Sequence, residues 1–406
     1  MRSHPAGFLL LLCYMLFPGQ SLGFYEHQDE NSFLELRGFL GLGAGFLSYP
    51  PHSIYRERDD FPWTADLRLL VDSDHGEGVH LTANILQSTR AKLSLDPAIA
   101  SLLPNDVKRS SILTWEQHDT ANSRSEIVVD VLNLQYRTTH VDYAFGRQPI
   151  NLGTTFYFVP NDFFAPFAPQ AFFRAYKPGV DALRGDIRLA ELSQLTLLAV
   201  LSYEMEKTSP DTWQKEPDWR STSFLGRVTK EKAGFEWGLL AGTVNDFTIA
   251  GGSLQGDIFG EYVLRAEGHY GDPETNVGKS YYKLSIGIEK LYANNFNWRL
   301  EYFQNSNADA GVGAGVFTAN YQDRDYGALG MGYEVTPLMT VSFIALANIN
   351  DSSWLFSGNL LYSLSDESEL SLVLSAPVGH KPTPTDPGSE FGHQPEMALL
   401  EYRAYF

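Results

Sequence analysis

Cysteine is almost absent from this 406-residue chain, which contains only Cys13. Cys13 lies in the apolar run Phe8–Phe17, between Arg2 and a short segment that ends in small residues. This order is typical of a secretory signal peptide, and the run is shorter than the roughly 20 residues of a spanning helix. We therefore expect residues 1–23 to be removed. The mature chain would then have no disulfide, no thiolate metal site and no covalent haem attachment.

Long apolar runs are also missing from the rest of the chain, because charged and polar residues interrupt each of them. Aromatic residues nevertheless make up 13% of the chain, and 21 of them are tyrosines. A transmembrane barrel combines both features, since its strands alternate lipid-facing apolar residues with polar residues that face a lumen. A secreted β-sandwich is the alternative that composition alone leaves open.

Positive charge is scarce, with 30 Lys and Arg against 49 Asp and Glu and a formal net charge of -19. This balance argues against nucleic acid as a partner. Motifs of catalysis are missing as well. The ten histidines match no zinc-ligand spacing, and there is neither a Gly-x-Ser-x-Gly elbow nor a phosphate-binding glycine loop. We expect no enzyme activity, no catalytic residue, no metal site and no cofactor.

A period of two dominates what is present. In 396–406, Leu400, Tyr402 and Phe406 share one face, whereas Glu401 and Arg403 share the other. A last strand that ends on an aromatic residue resembles the insertion signal of bacterial outer-membrane barrels. We therefore expect Tyr402 and Phe406 to form that signal and the barrel-assembly machinery to recognise it.

The same alternation recurs along the chain and predicts about 18 strands, an even number as in single-chain bacterial barrels. The predicted strands are 33–47, 63–72, 78–90, 125–138, 140–149, 180–190, 194–205, 222–231, 234–243, 247–258, 261–271, 280–290, 296–306, 326–336, 339–349, 353–365, 368–378 and 396–406.

The links between these strands are asymmetric. Every long link follows an odd-numbered strand, whereas all links after even-numbered strands are short. The long links are 48–62, 91–124, 150–179, 206–221, 307–325 and 379–395. Outer-membrane barrels have short periplasmic turns and longer outer loops, and a barrel of 16 to 18 strands encloses an aqueous channel. We therefore predict an all-β fold, in which residues 24–406 form a single transmembrane antiparallel up-and-down β-barrel in the bacterial outer membrane.

The link 150–179 is unusually rich in aromatic residues and proline. An apolar loop of this length would be an aggregation hazard in water, whereas folding into the barrel would bury it and narrow the channel. We therefore interpret it as an inward-folded constriction loop. Its candidate residues are Arg147, Asp162, Phe163, Phe164, Phe167, Arg174, Lys177, Arg184 and Arg188. The alternative is a latch that packs over a neighbouring strand or against the lipopolysaccharide layer.

Charged residues with lumen parity form a second candidate group, represented by Arg265, Glu267, Arg299 and Glu301. Rows of opposite charge that face each other would orient polar solutes inside a channel. The alternative is that these residues pair and cross-link the strands, because unpaired buried charge is costly.

Three motifs around this link carry a resemblance: Gly146–Ile150, then Pro160–Phe167, then Pro178–Arg184. Together they resemble porin-like proteins of Gram-negative bacteria, which are similar in plan to the 18-stranded alginate-export channel family. The local match covers roughly 140–190, and the barrel plan covers the chain from residue 32. The alginate channel has an arginine-lined lumen, whereas this chain is acidic, so the resemblance implies a channel but not alginate as its solute.

The expected function is that of a porin-like channel embedded in outer-membrane lipid, through which a small hydrophilic solute or an exported polymer passes without energy input. The alternative is a barrel that acts as a sheath for a partner protein, such as a multihaem cytochrome in an electron conduit. In that case the haem would come with the periplasmic or outer-membrane partner.

Overall fold

A computed structural model describes residues 25–29, 31–53, 59–76, 78–91, 107–206, 209–274, 278–306, 321 and 323–406. The expected signal peptide, residues 1–23, lies outside these residues. No helix in this part of the chain is long and apolar enough to cross a membrane.

Eighteen of the described strands form one closed antiparallel barrel, in which each strand pairs with the next and the last pairs with the first. They are β1 (Ser32–Ser48), β2 (Trp63–His75), β3 (Val79–Ala91), β4 (Ser123–Arg137), β5 (Val141–Gln148), β6 (Val180–Ala190), β7 (Ser193–Ser202), β8 (Asp218–Lys232), β9 (Phe235–Val244), β10 (Phe247–Ile258), β11 (Tyr262–Pro273), β12 (Tyr281–Leu291), β13 (Asn297–Asn305), β14 (Asp325–Thr336), β15 (Met339–Asn348), β16 (Ser353–Ser365), β17 (Ser368–Val378) and β18 (Glu396–Tyr405). The predicted 18-stranded barrel is confirmed.

Four further strands are too short to show an alternation and were not predicted. Tyr25–Gln28 pairs with the first residues of β1, and Thr114–Asp119 pairs with β4. Met205–Glu206 and Ser209–Trp213 pair with each other as a separate hairpin.

The barrel wall shows the expected alternation. On β13, Leu300 and Tyr302 are exposed, whereas Glu301 and Phe303 are buried. The outward face is therefore apolar, and the inward face carries most of the charged side chains. Closure also satisfies the backbone groups that a sheet edge would leave unpaired, which a structure exposed to lipid requires.

The links divide as predicted. The links after even-numbered strands have two to five residues, and we call this side of the barrel the turn end. Every long link lies at the other side, the loop end, where the links β9–β10 and β15–β16 are short as well.

The seam between β1 and β18 depends on Gly38. Its N–H donates to the carbonyl of Phe406 at 2.7 Å, and its own carbonyl accepts from the Phe406 N–H at 2.9 Å. A Cβ atom on Gly38 would lie 2.5 Å from the Arg68 carbonyl oxygen and 2.6 Å from the Phe406 ring. Only glycine leaves space for the ring and the pairing together.

We therefore expect Gly38→Ala to weaken barrel closure by about 1–3 kcal/mol, the usual cost of overpacking. The readout is the thermal midpoint at which the compact, heat-modifiable form disappears on gels. Gly185→Ala is the matched control, since a Cβ on Gly185 meets no atom within 4 Å. Equal midpoints for the two variants would contradict this role of Gly38.

Candidate functional site

The link between β5 and β6, residues 149–179, lies inside the barrel, and we call it the lumen loop. Two of its segments, 150–152 and 163–164, pack on the inner faces of β6 to β10. There Ile150, Leu152, Phe163 and Phe164 are buried in one cluster. The wall residues of this cluster are Val180, Ala182, Leu198, Val200, Leu225, Leu240, Val244 and Ile249.

A second cluster joins the middle of the lumen loop to β13–β16. The Phe158 ring stacks on Phe303, with ring centroids 5.1 Å apart and an interplanar angle of 9°. Tyr157 lies beside Gly330 on β14, where a side-chain Cβ would overlap its hydroxyl group. Phe391, from the link between β17 and β18, enters the same cluster. Two long links therefore meet inside the loop end of the barrel.

The last part of the lumen loop reaches β1, β2 and β18. Tyr176 stacks on Phe39 of β1 at 5.4 Å and lies 4.9 Å from the Arg68 guanidinium of β2. Phe173 lies 3.8 Å from the Arg403 guanidinium of β18. The lumen loop therefore contacts widely separated parts of the wall and crosses the lumen.

Glu301 on β13 holds the centre of the lumen loop. Its carboxylate accepts the backbone N–H groups of three consecutive residues, Phe156, Tyr157 and Phe158, at 2.6, 2.8 and 3.1 Å. Successive N–H groups that converge in this way form a concave anion site, and bonds to a charged acceptor are the stronger kind. One buried side chain thus fixes the backbone of three loop residues.

Glu267 on β11 holds a second point in the same manner. Its carboxylate accepts the backbone N–H groups of Thr154 and Asn161, the latter at 3.3 Å. The Asn161 amide in turn donates to the Gly252 carbonyl at 3.0 Å. Arg265, two residues from Glu267, donates to the Thr154 carbonyl at 3.2 Å. Glu267 and Glu301, both predicted as lumen charges, therefore bind the loop backbone.

Arg147, a predicted constriction residue, lies at the neck of the lumen loop and is only 1% exposed. Its guanidinium forms two bonds with Asp181, at 2.8 and 3.1 Å, and donates to the Ser110 and Val129 carbonyls. Asp181 is the second residue of β6, so this pair ties the two ends of the loop together. All three nitrogens of the Arg147 guanidinium donate hydrogen bonds, and Arg147 acts as a clamp.

Asp162 and Lys177 form a buried ion pair within the lumen loop, with the ammonium 2.5 Å from a carboxylate oxygen. Arg174 lies 4.5 Å over the Phe156 ring and donates to four loop carbonyls, including that of Phe156 at 2.7 Å. Of the predicted aromatic residues, Phe163 and Phe164 are buried in the first cluster, whereas Phe167 is partly exposed. Most of these side chains therefore stabilise the loop itself.

Two arginines were predicted to flank the lumen loop, and they occupy different places. Arg184 faces the lumen and pairs with Asp186 at 2.6 Å. Arg188 lies at the turn end, where it donates to the Thr138 and Thr139 carbonyls. Contrary to the prediction, Arg188 does not lie beside the lumen loop. It lies eight residues beyond Val180, the first residue of β6, and eight strand residues span about 26 Å.

Two charged triads lie on separate walls beneath the lumen loop. On β11–β13, Glu289 bridges Arg265, at 2.9 Å, and Arg299. On β17–β18 the order is reversed, and Arg403 bridges Glu369 and Glu401 at 2.7 and 2.6 Å.

The first triad carries one net positive charge and the second one net negative charge. The lumen loop rests on both, because Phe156 lies 4.2 Å from the Arg299 guanidinium and Phe173 lies over Arg403. Glu289 and Glu369 were not singled out from the sequence. Only their cross-strand pairing distinguishes them from other lumen-facing acids.

Solved structures of porins share this architecture. The crystal structure of OccAB4 from Acinetobacter baumannii matches 94% of this chain and 99% of its own, with a TM-score of 0.59 and 9% identity. OccK9 (OpdG) from Pseudomonas aeruginosa matches 92% and 98%, with a TM-score of 0.59 and 11% identity. A BenF-like porin from Pseudomonas fluorescens Pf-5 matches 92% and 98%, with a TM-score of 0.57 and 10% identity.

The chain has the porin fold. Identities near 10% establish the fold alone, and no protein-family model and no curated protein matches the sequence. Among the described residues, no group of His, Cys, Asp and Glu could hold a metal ion.

The variant Glu301→Gln tests whether the Glu301 carboxylate anchors the lumen loop. The amide keeps the size of the side chain but replaces one acceptor oxygen with a donor that faces backbone N–H groups. We expect a loss of about 1–3 kcal/mol and a looser lumen loop. Thermal unfolding measures the first effect, and faster proteolysis within 154–161 measures the second. Glu231→Gln, at an exposed site at the end of β8, is the control. Identical proteolysis of the two variants would rule out the anchor.

Asp162 makes loop stability depend on pH. Burial raises the pKa of this carboxyl to about 6, although Lys177 opposes the shift. The folded state therefore binds the proton more readily than the unfolded state. The stability that this group contributes is full below about pH 4 and is lost as pH rises through 6.

We expect the thermal midpoint of the unaltered protein, relative to that of Asp162→Asn, to fall between pH 4 and 7. Asp257→Asn, which changes an exposed carboxyl, should show no such change. If the thermal midpoints of the unaltered protein and of Asp162→Asn change in parallel with pH, the pH dependence does not come from Asp162.

Proposed function

We propose that this protein is an outer-membrane channel of Gram-negative bacteria, through which hydrophilic solutes diffuse or are exported passively past the lumen loop. The observation that carries the proposal is the lumen loop itself, held across a closed barrel by Glu301 and Glu267. The apolar outward face of the barrel supports the location. Export would use the signal peptide 1–23, and insertion would use Tyr402 and Phe406.

The charge arrangement beneath the lumen loop supports passage of polar solutes. The positive triad on β11–β13 and the negative triad on β17–β18 create an electric field across the lumen, which orients a solute that carries charge or a dipole. Arg265 and Arg299 each keep nearly a third of their side chain exposed. A solute that passes the loop can therefore reach these guanidinium groups.

The lumen also argues against the two other classes of function. A sheath for a partner protein needs the space that the lumen loop occupies. The buried lumen carboxylates of Glu267 and Glu301 are bound to loop N–H groups, so they hold the loop in place and are not available as proton-transfer groups of a hydrolytic enzyme. We therefore favour a channel over a sheath and over an enzyme.

Single-channel recording in planar bilayers tests the proposal. We expect discrete conductance steps from the purified protein, and larger or noisier steps from Glu301→Gln, because its lumen loop is less constrained. Correctly folded protein that inserts into the bilayer without any conductance would contradict the channel.

Ion selectivity tests the charged triads. Glu289→Gln removes the central carboxylate between two arginines and should shift the reversal potential in a salt gradient towards anion selectivity. Arg265→Gln removes one arginine from the same triad and should shift it towards cations. Shifts of the same sign, or no shift in either variant, would show that these residues act only as cross-links.

A further inference from the structure

The outward face of strands β5 to β8 contains a groove of about 490 Å³, which we call the wall groove. Small residues form its floor, because Gly185, Ala199 and Gly226 lie on three adjacent strands and face outward. A Cβ atom on Gly185 would meet no other atom within 4 Å, so the floor is open. Sites for small ligands have volumes of about 300–1,000 Å³. The wall groove therefore has room for a ligand.

Large exposed side chains form the rim of the wall groove. Each residue of the floor lies directly opposite at least one of them on a neighbouring strand. They keep 48–58% of their surface exposed, although they border a hollow that could have been filled by a larger residue on the floor. The rim residues are Tyr143, Leu183, Leu197 and Phe224. The wall groove is thus an apolar hollow in the part of the barrel that faces lipid.

Lys230 marks the level at which β8 leaves the hydrocarbon. It faces outward, is exposed, and is the cross-strand partner of Trp237, which is 53% exposed. A lysine beside a tryptophan on a lipid-facing wall is typical of the membrane–water interface. Phe224 lies six residues away, which is about 20 Å along the strand and about 15 Å along the membrane normal at a tilt of about 40°. One leaflet contributes about 15 Å of hydrocarbon. The wall groove therefore lies within one leaflet.

This location limits what can occupy the wall groove. The groove opens outward, so a solute in the lumen does not reach it. Short turns lie on the periplasmic side of outer-membrane barrels, and the leaflet on that side consists of phospholipid. We call it the turn-end leaflet. An acyl chain is therefore the molecule that meets the wall groove.

A resident lipid needs more than an apolar surface. One acyl chain gains little by exchanging other chains for protein, because lipid tails are as apolar as leucine. Close packing and a contact with the head group have to supply the preference. The wall groove supplies the shape, and Lys230, which has no ion-pair partner in the part of the chain that the structure describes, supplies a charge opposite to that of a phosphate.

We propose that the outward wall of β5 to β8 binds one phospholipid of the turn-end leaflet as a resident ligand. One acyl chain lies in the wall groove over Gly185, Ala199 and Gly226, and the phosphate pairs with Lys230. This lipid stays with the barrel while the surrounding lipids exchange. The site does not depend on what passes through the pore.

Native mass spectrometry detects such a lipid directly. The protein is reconstituted in vesicles of phosphatidylethanolamine and phosphatidylglycerol and is then extracted in a mild detergent. We expect one retained phospholipid per barrel, with phosphatidylglycerol enriched over its share in the vesicles, because Lys230 favours the anionic lipid. Gly185→Leu and Gly226→Leu fill the floor of the wall groove with a side chain and should lose the retained lipid.

Matched variants show whether the site is specific. Gly358→Leu makes the same change at an outward glycine of β16, where a Cβ would meet only the Ser342 carbonyl oxygen at 3.9 Å, and should keep the lipid. Lys230→Gln should lose the enrichment of phosphatidylglycerol, whereas Lys381→Gln, at an exposed site of the link between β17 and β18, should keep it. The heat-modifiable gel shift verifies that each variant is folded, and Gly185→Leu suffices if Gly226→Leu does not fold.

Unaltered protein that retains no phospholipid would overturn the proposal. Equal retention by Gly185→Leu and Gly358→Leu would also overturn it, because the lipid would then bind elsewhere on the wall. The same spectra report the oligomeric state. If the unaltered protein is a dimer that Gly185→Leu converts to monomers, a second copy of the chain covers the wall groove and the lipid assignment is wrong.

Discussion

The carboxylate of Glu301 is the group on which the interior of this barrel depends. Three consecutive N–H groups of the lumen loop converge on it, and each would otherwise be buried without an acceptor, at a cost of about 1–3 kcal/mol. The contacts around it follow from this anchor. Phe158 reaches Phe303, and Tyr157 reaches the space above Gly330, because the backbone between them is fixed. Glu267 repeats the arrangement two strands away.

The two roles considered for the lumen charges turn out to be compatible. Each triad cross-links neighbouring strands, which satisfies its charges, and each retains one unbalanced charge. Arg265 and Arg299 outnumber Glu289 on one wall, while Glu369 and Glu401 outnumber Arg403 on another. Structural pairing and a field across the lumen therefore come from the same side chains. The loop aromatics that lie on Arg299 and Arg403 place this field directly beneath the narrowed region.

The sequence predicted the barrel because a strand that separates lipid from water must alternate, and this local pattern is visible without any tertiary contact. The lumen loop was predictable for a similar reason, since its composition suits neither water nor lipid. The roles of individual residues were harder to predict from the sequence. The sequence placed Arg188 with the constriction-loop candidates, but it did not show that the residue lies at the turn end. Glu301 binds a residue 145 positions away, and no local pattern encodes that pair.

Arg147 is a residue whose position was predictable from the sequence but whose role was not. Its position at the mouth of the lumen loop was apparent, yet its bonds to Asp181 and to two carbonyls make it a buried clamp and not a group that lines the channel. An arginine that lines a pore and an arginine that closes a loop look alike in sequence. What separates them is burial, which depends on how the loop folds back.

Hydrogen exchange at the loop amides tests the central claim most directly. If Glu301 holds the lumen loop, the N–H groups of Phe156, Tyr157 and Phe158 will exchange orders of magnitude more slowly than that of exposed Gln170. Glu301→Gln should remove most of this protection, while the amides of β13 keep theirs. Fast exchange at all three amides in the unaltered protein would contradict a loop fixed across the lumen.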